Sequence, residues 1–288
     1  MQSPFSFRVV DTHSHVISDD PVAFPPAPMG GKQSEWSTRP LTAEDMLRAM
    51  GDAGVTQSIL VQASTCYGLD NSYVAACTAR HPRQFAGVFS VDLTSVDATG
   101  CIAHWMRSGF SGARVFVAGH TAANTAVRLD DPRAEGAWQY LADRRIPVCV
   151  QLRAHGLDQL KPVLARWPEL VVLLDHGARP ELEDGAPYAK AQPLFALARH
   201  PNLYVKFTTH NVRESKAGKA AQASFCRTLV DHFGAQRIAW GSNFPASAGG
   251  LKQHVQEALE ATSSLTLEEQ SWIYSRTARS LYRALEAA

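Results

Sequence analysis

The sequence predicts an α/β fold, a (β/α)8 TIM barrel in a single domain, and three observations support this prediction. The chain has 288 residues, which suits one barrel of roughly 250 residues with short additions. Eight short apolar runs rich in β-branched residues recur along it, as is typical of parallel strands buried on both faces. Segments of helical period separate these runs, and such alternation favours a closed barrel over an open sheet.

The predicted strands are residues 7–11, 57–62, 85–91, 113–117, 147–151, 170–174, 203–207 and 237–241. The first long helix is marked at both ends. Thr42 and Asp45 form the pattern of a capping box, in which a hydroxyl and a carboxylate satisfy free N–H groups. Gly51 and Gly54 bracket its end, where positive φ is useful.

Residues 18–40 break the alternation because they are rich in proline and glycine. Such a segment cannot be a regular helix or a central strand. It follows the first strand directly, so we expect a loop over the barrel mouth. This loop is either a lid that helps to bind substrate or a plain surface excursion.

Composition excludes several function classes. The formal net charge is +1 and the basic residues are scattered, so nucleic acid and anionic membrane are not expected partners. The five cysteines are odd in number and form no CxxC pair, which favours reduced thiols in a cytoplasmic protein. Residues 1–10 do not have the pattern of a secretory signal, and no apolar run reaches the roughly 20 residues of a membrane span.

Three motifs carry candidate chemistry. The first strand runs into His13 and His15, which are two residues apart and can therefore face one centre, for metal chelation or for binding an oxyanion. The sixth strand closes on Asp175 and His176, at the rim where barrels keep catalytic groups. The eighth strand ends in a tight turn that carries Asn243 to the same rim. Chance histidines in surface or capping positions remain the alternative interpretation.

Together these motifs resemble the amidohydrolase superfamily (the amidohydrolase-2 family). More narrowly, they resemble the branch that contains 2-pyrone-4,6-dicarboxylate lactonase and the sugar-acid lactone hydrolases and isomerases. The similar phrases are residues 11–15, 112–117, 171–180, 202–207 and 238–245. The resemblance implies a small-molecule lactone substrate, is compatible with a homodimer, and implies catalytic roles for His13, His15, His176 and Asn243.

Asn243 departs from the family pattern, which has an aspartate there as metal ligand or base. An amide cannot take up a proton at neutral pH and is a poorer ligand for a hard cation. Catalysis without a cofactor is therefore expected. The alternative is one zinc or manganese ion held by His13, His15 and His176 with an open position.

The missing carboxylate also bears on the reaction. Without it water attacks the carbonyl slowly, whereas a substrate's own hydroxyl, held close to the carbonyl, needs less activation. The expectation therefore shifts from lactone hydrolysis towards lactone isomerisation, although His176 could still act as base. Two other readings stay open: a metal-dependent amidohydrolase or decarboxylase acting on another carboxylated substrate, and a catalytically inactive binding barrel.

Substrate-binding residues are predicted at the other strand ends. The resemblance lets Arg114 bind a substrate carboxylate by a bidentate pair, and Lys206 is a second candidate contact. Either residue could instead form an ion pair inside the barrel. Gln151 and Arg153 at the end of the fifth strand, and His210 after the seventh, are expected to face the mouth.

Overall fold

The computed structural model describes residues 7–116 and 128–285. It contains one sheet of eight parallel strands that follow one another in chain order. They are β1 Val9–Ser14, β2 Val55–Val61, β3 Phe85–Ser90, β4 Gly112–Phe116, β5 Val148–Gln151, β6 Val172–Leu174, β7 Leu203–Thr208 and β8 Ile238–Gly241. The predicted (β/α)8 barrel is confirmed. The first strand runs on to Ser14 rather than stopping at Asp11, and predicted strand residue Val117 lies outside the described residues.

Helices surround the strands. In the described ranges the α-helices are α1 Ala43–Ala53, α2 Ser64–Tyr67, α3 Ser72–Arg80, α4 Ala98–Arg107, α5 Glu135–Asp143, α6 Leu157–Arg166, α7 Gln192–Phe195, α8 Thr209–Glu214, α9 Gln222–Phe233, α10 Leu251–Ala261, α11 Leu267–Ser271 and α12 Thr277–Leu281. The predicted capping box of Thr42 and Asp45 is present, and Gly54 ends α1 with φ 74°. None of the described helices has the length and apolarity needed to cross a membrane.

Strand side chains alternate between two apolar layers. Val9 and Leu60 belong to the layer that packs against the helices, whereas their neighbours Val10 and Ile59 belong to the layer inside the barrel. Tyr282, which follows α12, packs into the inner layer close to the first residue of β4. It therefore fills the end of the barrel where strands begin, and the ends of the strands are left for a cavity.

The barrel closes between β1 and the segment after β8. The N–H of His15 donates to the carbonyl oxygen of Phe244 at 2.9 Å. The buried carboxylate of Asp11 accepts hydrogen bonds from the backbone N–H of His13 at 2.9 Å and of Ser242 at 2.8 Å. At Gly241 an added Cβ would lie 2.7 Å from the Cβ of His13, so only glycine permits this approach. The motif at the end of β1 and the motif after β8 consequently lie side by side.

Candidate active site

A cavity of about 290 Å³ opens at the ends of the strands. Its volume is near the lower end of small-molecule pockets, which are roughly 300–1,000 Å³. The lining side chains come from the ends of seven strands and from the loop 18–40, and they are His15, Ser34, Trp36, Ala63, Ser64, Thr65, Arg114, Phe116, Gln151, His176, His210, Asn243 and Ala246. Such a position is where barrel enzymes place their active sites.

Four imidazole rings form a continuous cluster at this cavity. The ring centroid of His13 lies 5.0 Å from that of His15 and 4.8 Å from that of His176. His210 extends the cluster, with its ring 5.0 Å from that of His176. His15, His176 and His210 line the cavity, whereas His13 is fully buried beneath them.

A backbone hydrogen bond determines which ring nitrogen of His15 carries the proton. Its Nδ1 lies 2.8 Å from the carbonyl oxygen of Val61, which can only accept, so Nδ1 carries the hydrogen and Nε2 keeps its lone pair. Burial, together with the charge of Arg114, lowers the pKa of His15 to about 3. His15 is therefore a neutral hydrogen-bond acceptor at neutral pH.

His176 reaches the cavity from a strained turn. Its backbone has φ 56°, in the left-handed region, and Ala178 and Arg179 are left-handed as well. Such a conformation costs roughly 1–2 kcal/mol for each residue with a Cβ, and a hydrogen bond of 2.8 Å from Asn211 Nδ2 to the carbonyl of His176 holds it. Strain of this kind is concentrated at functional sites.

The side chain of Thr208 sets the tautomer of His176. Thr208 Oγ1 donates to Asn211 Oδ1 at 3.3 Å and lies 2.9 Å from His176 Nδ1, from which it can accept. Nδ1 of His176 therefore carries the hydrogen, and Nε2 keeps a lone pair. Burial and the neighbouring His13 hold the pKa of His176 well below its usual range.

Asn243 sits in the same cavity, with a left-handed backbone at φ 56°. Its Nδ2 lies 3.0 Å from Ser247 Oγ and 3.2 Å from His210 Nε2. An amide nitrogen can only donate, so His210 Nε2 accepts and the proton of neutral His210 lies on Nδ1. The residue that replaces the family's aspartate is thus in direct contact with an imidazole.

A buried charge network lies under the imidazoles. Arg114 Nε donates to Asp175 Oδ2 at 2.9 Å, and Arg114 Nη2 donates to Gln151 Oε1. Lys206 Nζ lies 3.2 Å from Asp175 Oδ1. Burial acts to raise the pKa of Asp175, but Lys206, His13 and Arg114 together hold it well below its usual range. Two cations face one carboxylate, so the network carries net positive charge and favours an anionic group in the cavity.

The structure brings most of the predicted site residues together, with two exceptions. Lys206 is fully buried and does not line the cavity, because it lies in mid-strand with its ammonium among Asp175, Cys149 and His13. Arg153, which follows the end of β5, lines a separate groove with Arg179 and Glu214. Neither residue is among those that line the cavity of the other predicted site residues.

Other lining residues carried weaker signals. His210 is the second residue of α8, which follows β7 directly, and only its place after a strand end suggested it. Ser34 and Trp36 come from the loop 18–40, and the ring of Trp36 lies 5.1 Å from that of His15. Ser64 and Thr65 follow β2, where no motif marked them.

The donor set fits a divalent metal poorly. Within the two described ranges, no group of three or more His, Cys, Asp or Glu side chains is arranged to hold a metal ion. Arg114 lines the cavity and Lys206 contacts His13 beneath it, so a further cation would be repelled. Asn243 supplies a neutral amide where a carboxylate would offset that charge.

A closed α/β barrel with polar side chains converging at the ends of its strands defines a small-molecule enzyme. Residues 10–284 match the family model described as amidohydrolase, and the chain belongs to that family. It is 26% identical over 251 residues to the L-fucono-1,5-lactonase of Burkholderia ambifaria, covering 84% of this chain and 81% of that protein.

Solved structures share the fold. A Pseudomonas putida protein assigned as a 2-pyrone-4,6-dicarboxylic acid hydrolase has a TM-score of 0.76 at 21% identity, covering 97% of this chain and 99% of its own. An amidohydrolase from Burkholderia multivorans with bound zinc also has a TM-score of 0.76, at 19% identity, covering 96% of this chain and 99% of its own. At these identities the likeness concerns the fold.

Proposed function

We propose that this amidohydrolase acts on a lactone of a small carboxylated compound, most simply a sugar acid, and opens or rearranges the cyclic ester. The observation that carries the proposal is the cluster of imidazoles beside the guanidinium of Arg114 in a small cavity. Such a site offers charge stabilisation for a carbonyl oxygen together with acceptors for hydroxyl groups. The related L-fucono-1,5-lactonase supports the substrate class.

The acceptors and donors divide the work. His15 and His176 present Nε2 lone pairs and suit substrate hydroxyls, because their lowered pKa values make them weak bases. Arg114 suits the carbonyl oxygen, on which negative charge develops as the tetrahedral intermediate forms. His210 is half-buried and shares its Nε2 with the amide of Asn243. We assign His210 as the base. When substrate binds, its Nε2 accepts a hydrogen bond from the hydroxyl of the nucleophile in place of the one from the Asn243 amide.

The nucleophile decides between two outcomes. In hydrolysis a water oxygen adds to the carbonyl carbon, the ring C–O bond breaks, and the ring oxygen takes the proton to give a hydroxy acid. In isomerisation a substrate hydroxyl adds, the same bond breaks, and the proton moves from the attacking oxygen to the leaving one. Asn243 favours the second outcome, because its amide cannot take up a proton and activate water.

The test is proton NMR of the purified protein with a panel of aldonolactones, sugar-diacid lactones and 2-pyrone-4,6-dicarboxylate. New ring-form signals without open acid indicate an isomerase, and open-chain acid indicates a lactonase. His210→Gln should lower kcat for either reaction at unchanged folding. No turnover of any lactone would contradict the proposed substrate class.

A further inference from the structure

Lys206 places its ammonium among three acceptors inside the barrel. Its Nζ lies 3.0 Å from Cys149 Sγ, 3.2 Å from Asp175 Oδ1 and 3.4 Å from His13 Nδ1. All four side chains are fully buried. An ammonium has three hydrogens and no lone pair, so it can only donate. Its three hydrogens thus match the three neighbouring atoms.

The contact with His13 fixes where that imidazole keeps its own proton. A ring nitrogen that accepts from an ammonium cannot also carry hydrogen, so neutral His13 has its proton on Nε2. Asp175 Oδ1 lies 3.4 Å from the same Nδ1, but it lies closer to Lys206 Nζ, at 3.2 Å. A hydrogen on Nδ1, shared with that oxygen, is therefore not what the geometry supports.

The other ring nitrogen of His13, Nε2, differs from Nδ1 in its surroundings. His13 Nε2 is buried and, among the described residues, has no hydrogen-bond partner. An unsatisfied buried donor costs about 1–3 kcal/mol, and such groups in native proteins call for a functional explanation. The ring lies between His15 and His176, which both line the cavity.

We propose that Lys206 is a positioning residue that keeps the proton of His13 on Nε2, so that His13 serves as a hydrogen-bond donor and is withheld as a metal ligand. A metal would need the lone pair of that nitrogen. The two histidines of the motif then have opposite tautomers: His15 offers a lone pair and His13 an N–H. This donor role rests on the proposed function, because an N–H buried beneath the cavity adds to Arg114 in stabilising the charge on the carbonyl oxygen of the lactone.

The decisive experiment is long-range 1H–15N NMR of the protein labelled with 15N-histidine, with the His13 signals assigned from their loss in His13→Gln. We expect the hydrogen of His13 on Nε2 in the unsubstituted protein. In Lys206→Met it should move to Nδ1, facing Asp175. The tautomer of His15, set by Val61, is the internal control and should not change. A hydrogen on His13 Nδ1 in the unsubstituted protein would overturn the proposal, and that spectrum needs no variant to fold.

Zinc titration of the same proteins by calorimetry tests whether Lys206 withholds His13 as a metal ligand. Lys206→Met should bind zinc at least about tenfold more tightly than the unsubstituted protein, a change of ~1.4 kcal/mol. Lys206→Gln, whose amide still donates to His13, should change less. Equal zinc affinity in all three would show that Lys206 does not withhold the ligand. Neither readout uses turnover, so failure of every lactone would count against the proposed function alone.

Discussion

The backbone N–H of Asn243 donates to the carbonyl oxygen of His13 at 2.7 Å. This bond fixes the segment after β8 against the motif at the end of β1 and directs the Asn243 side chain into the cavity. The left-handed conformation of Asn243 is one that aspartate also tolerates. The position can therefore exchange an amide for a carboxylate without a change of backbone.

Asn243→Asp should raise hydrolysis relative to isomerisation, because the carboxylate can accept the proton of an attacking water. We expect the ratio of open acid to rearranged lactone, measured by proton NMR, to rise by about tenfold or more, or ~1.4 kcal/mol. Ser247→Ala, which removes only a hydrogen-bond partner of Asn243, is the control. An unchanged ratio in a folded variant would show that the missing base does not decide the outcome.

His176→Ala should lower kcat/KM by roughly 30- to 1,000-fold, since losing one polar contact to the reacting group costs about 2–4 kcal/mol. Alanine keeps a Cβ, so the left-handed turn stays strained, and the melting temperature is measured with the kinetics. His104→Ala, at an exposed helix position, is the matched control. Near-normal turnover would remove His176 from the mechanism.

Arg114→Lys should lower kcat/KM by about 10- to 150-fold, because a hydrogen bond to a charged group contributes ~1.5–3 kcal/mol and lysine lacks the planar fork. Arg153→Lys should change it by less than about twofold, because Arg153 lines another groove. Steady-state kinetics on one lactone compare the two. Equal losses would mean that both guanidiniums reach the substrate.

Acid should destabilise the folded chain before any carboxylate titrates. The pKa values of His13, His15 and His176 are lowered in the folded state, to about 3 for His15. Below pH ~6.5 the unfolded chain binds protons that the folded chain refuses, so stability is full above that pH and falls by about 1.4 kcal/mol per unit for each histidine. Urea unfolding at pH 7, 6 and 5 measures this slope. His15→Gln should make it shallower, and an identical slope would contradict a neutral His15.

Trp36→Ala should raise KM about tenfold, the effect of ~1.4 kcal/mol, with a smaller effect on kcat, if loop 18–40 helps to enclose the substrate. Trp36 lines the cavity and its ring lies 5.1 Å from that of His15. Val22→Ala is the control, since Val22 in the same loop is 91% exposed. If both variants keep the original KM, the loop is a surface excursion.

The strands and most of the cavity could be predicted because both depend on periodicity. Apolar runs mark buried strands, and the ends of parallel strands meet at one rim, which brings His15, His176 and Asn243 together. Periodicity does not show how deep inside the barrel a strand residue lies. The apolar run that contains Lys206 is compatible with a contact at the rim and with an ion pair inside the barrel. Only the packing around Asp175 distinguishes these two positions. Arg153 follows the end of β5 but lines a separate groove, and no periodicity distinguishes that position from one at the cavity.

The hydrogen bonds between Asp11 and Ser242 join residues 231 positions apart in the chain. Loop closure over such a distance comes late in folding, because its entropy must be overcome before the contact is rewarded. A chain synthesised only as far as β7 already holds His13, His15 and His176 but lacks Ser242, which binds Asp11, and Asn243. We therefore expect turnover to begin only when the last strand docks on the first. The time at which activity appears during refolding then measures when the barrel closes.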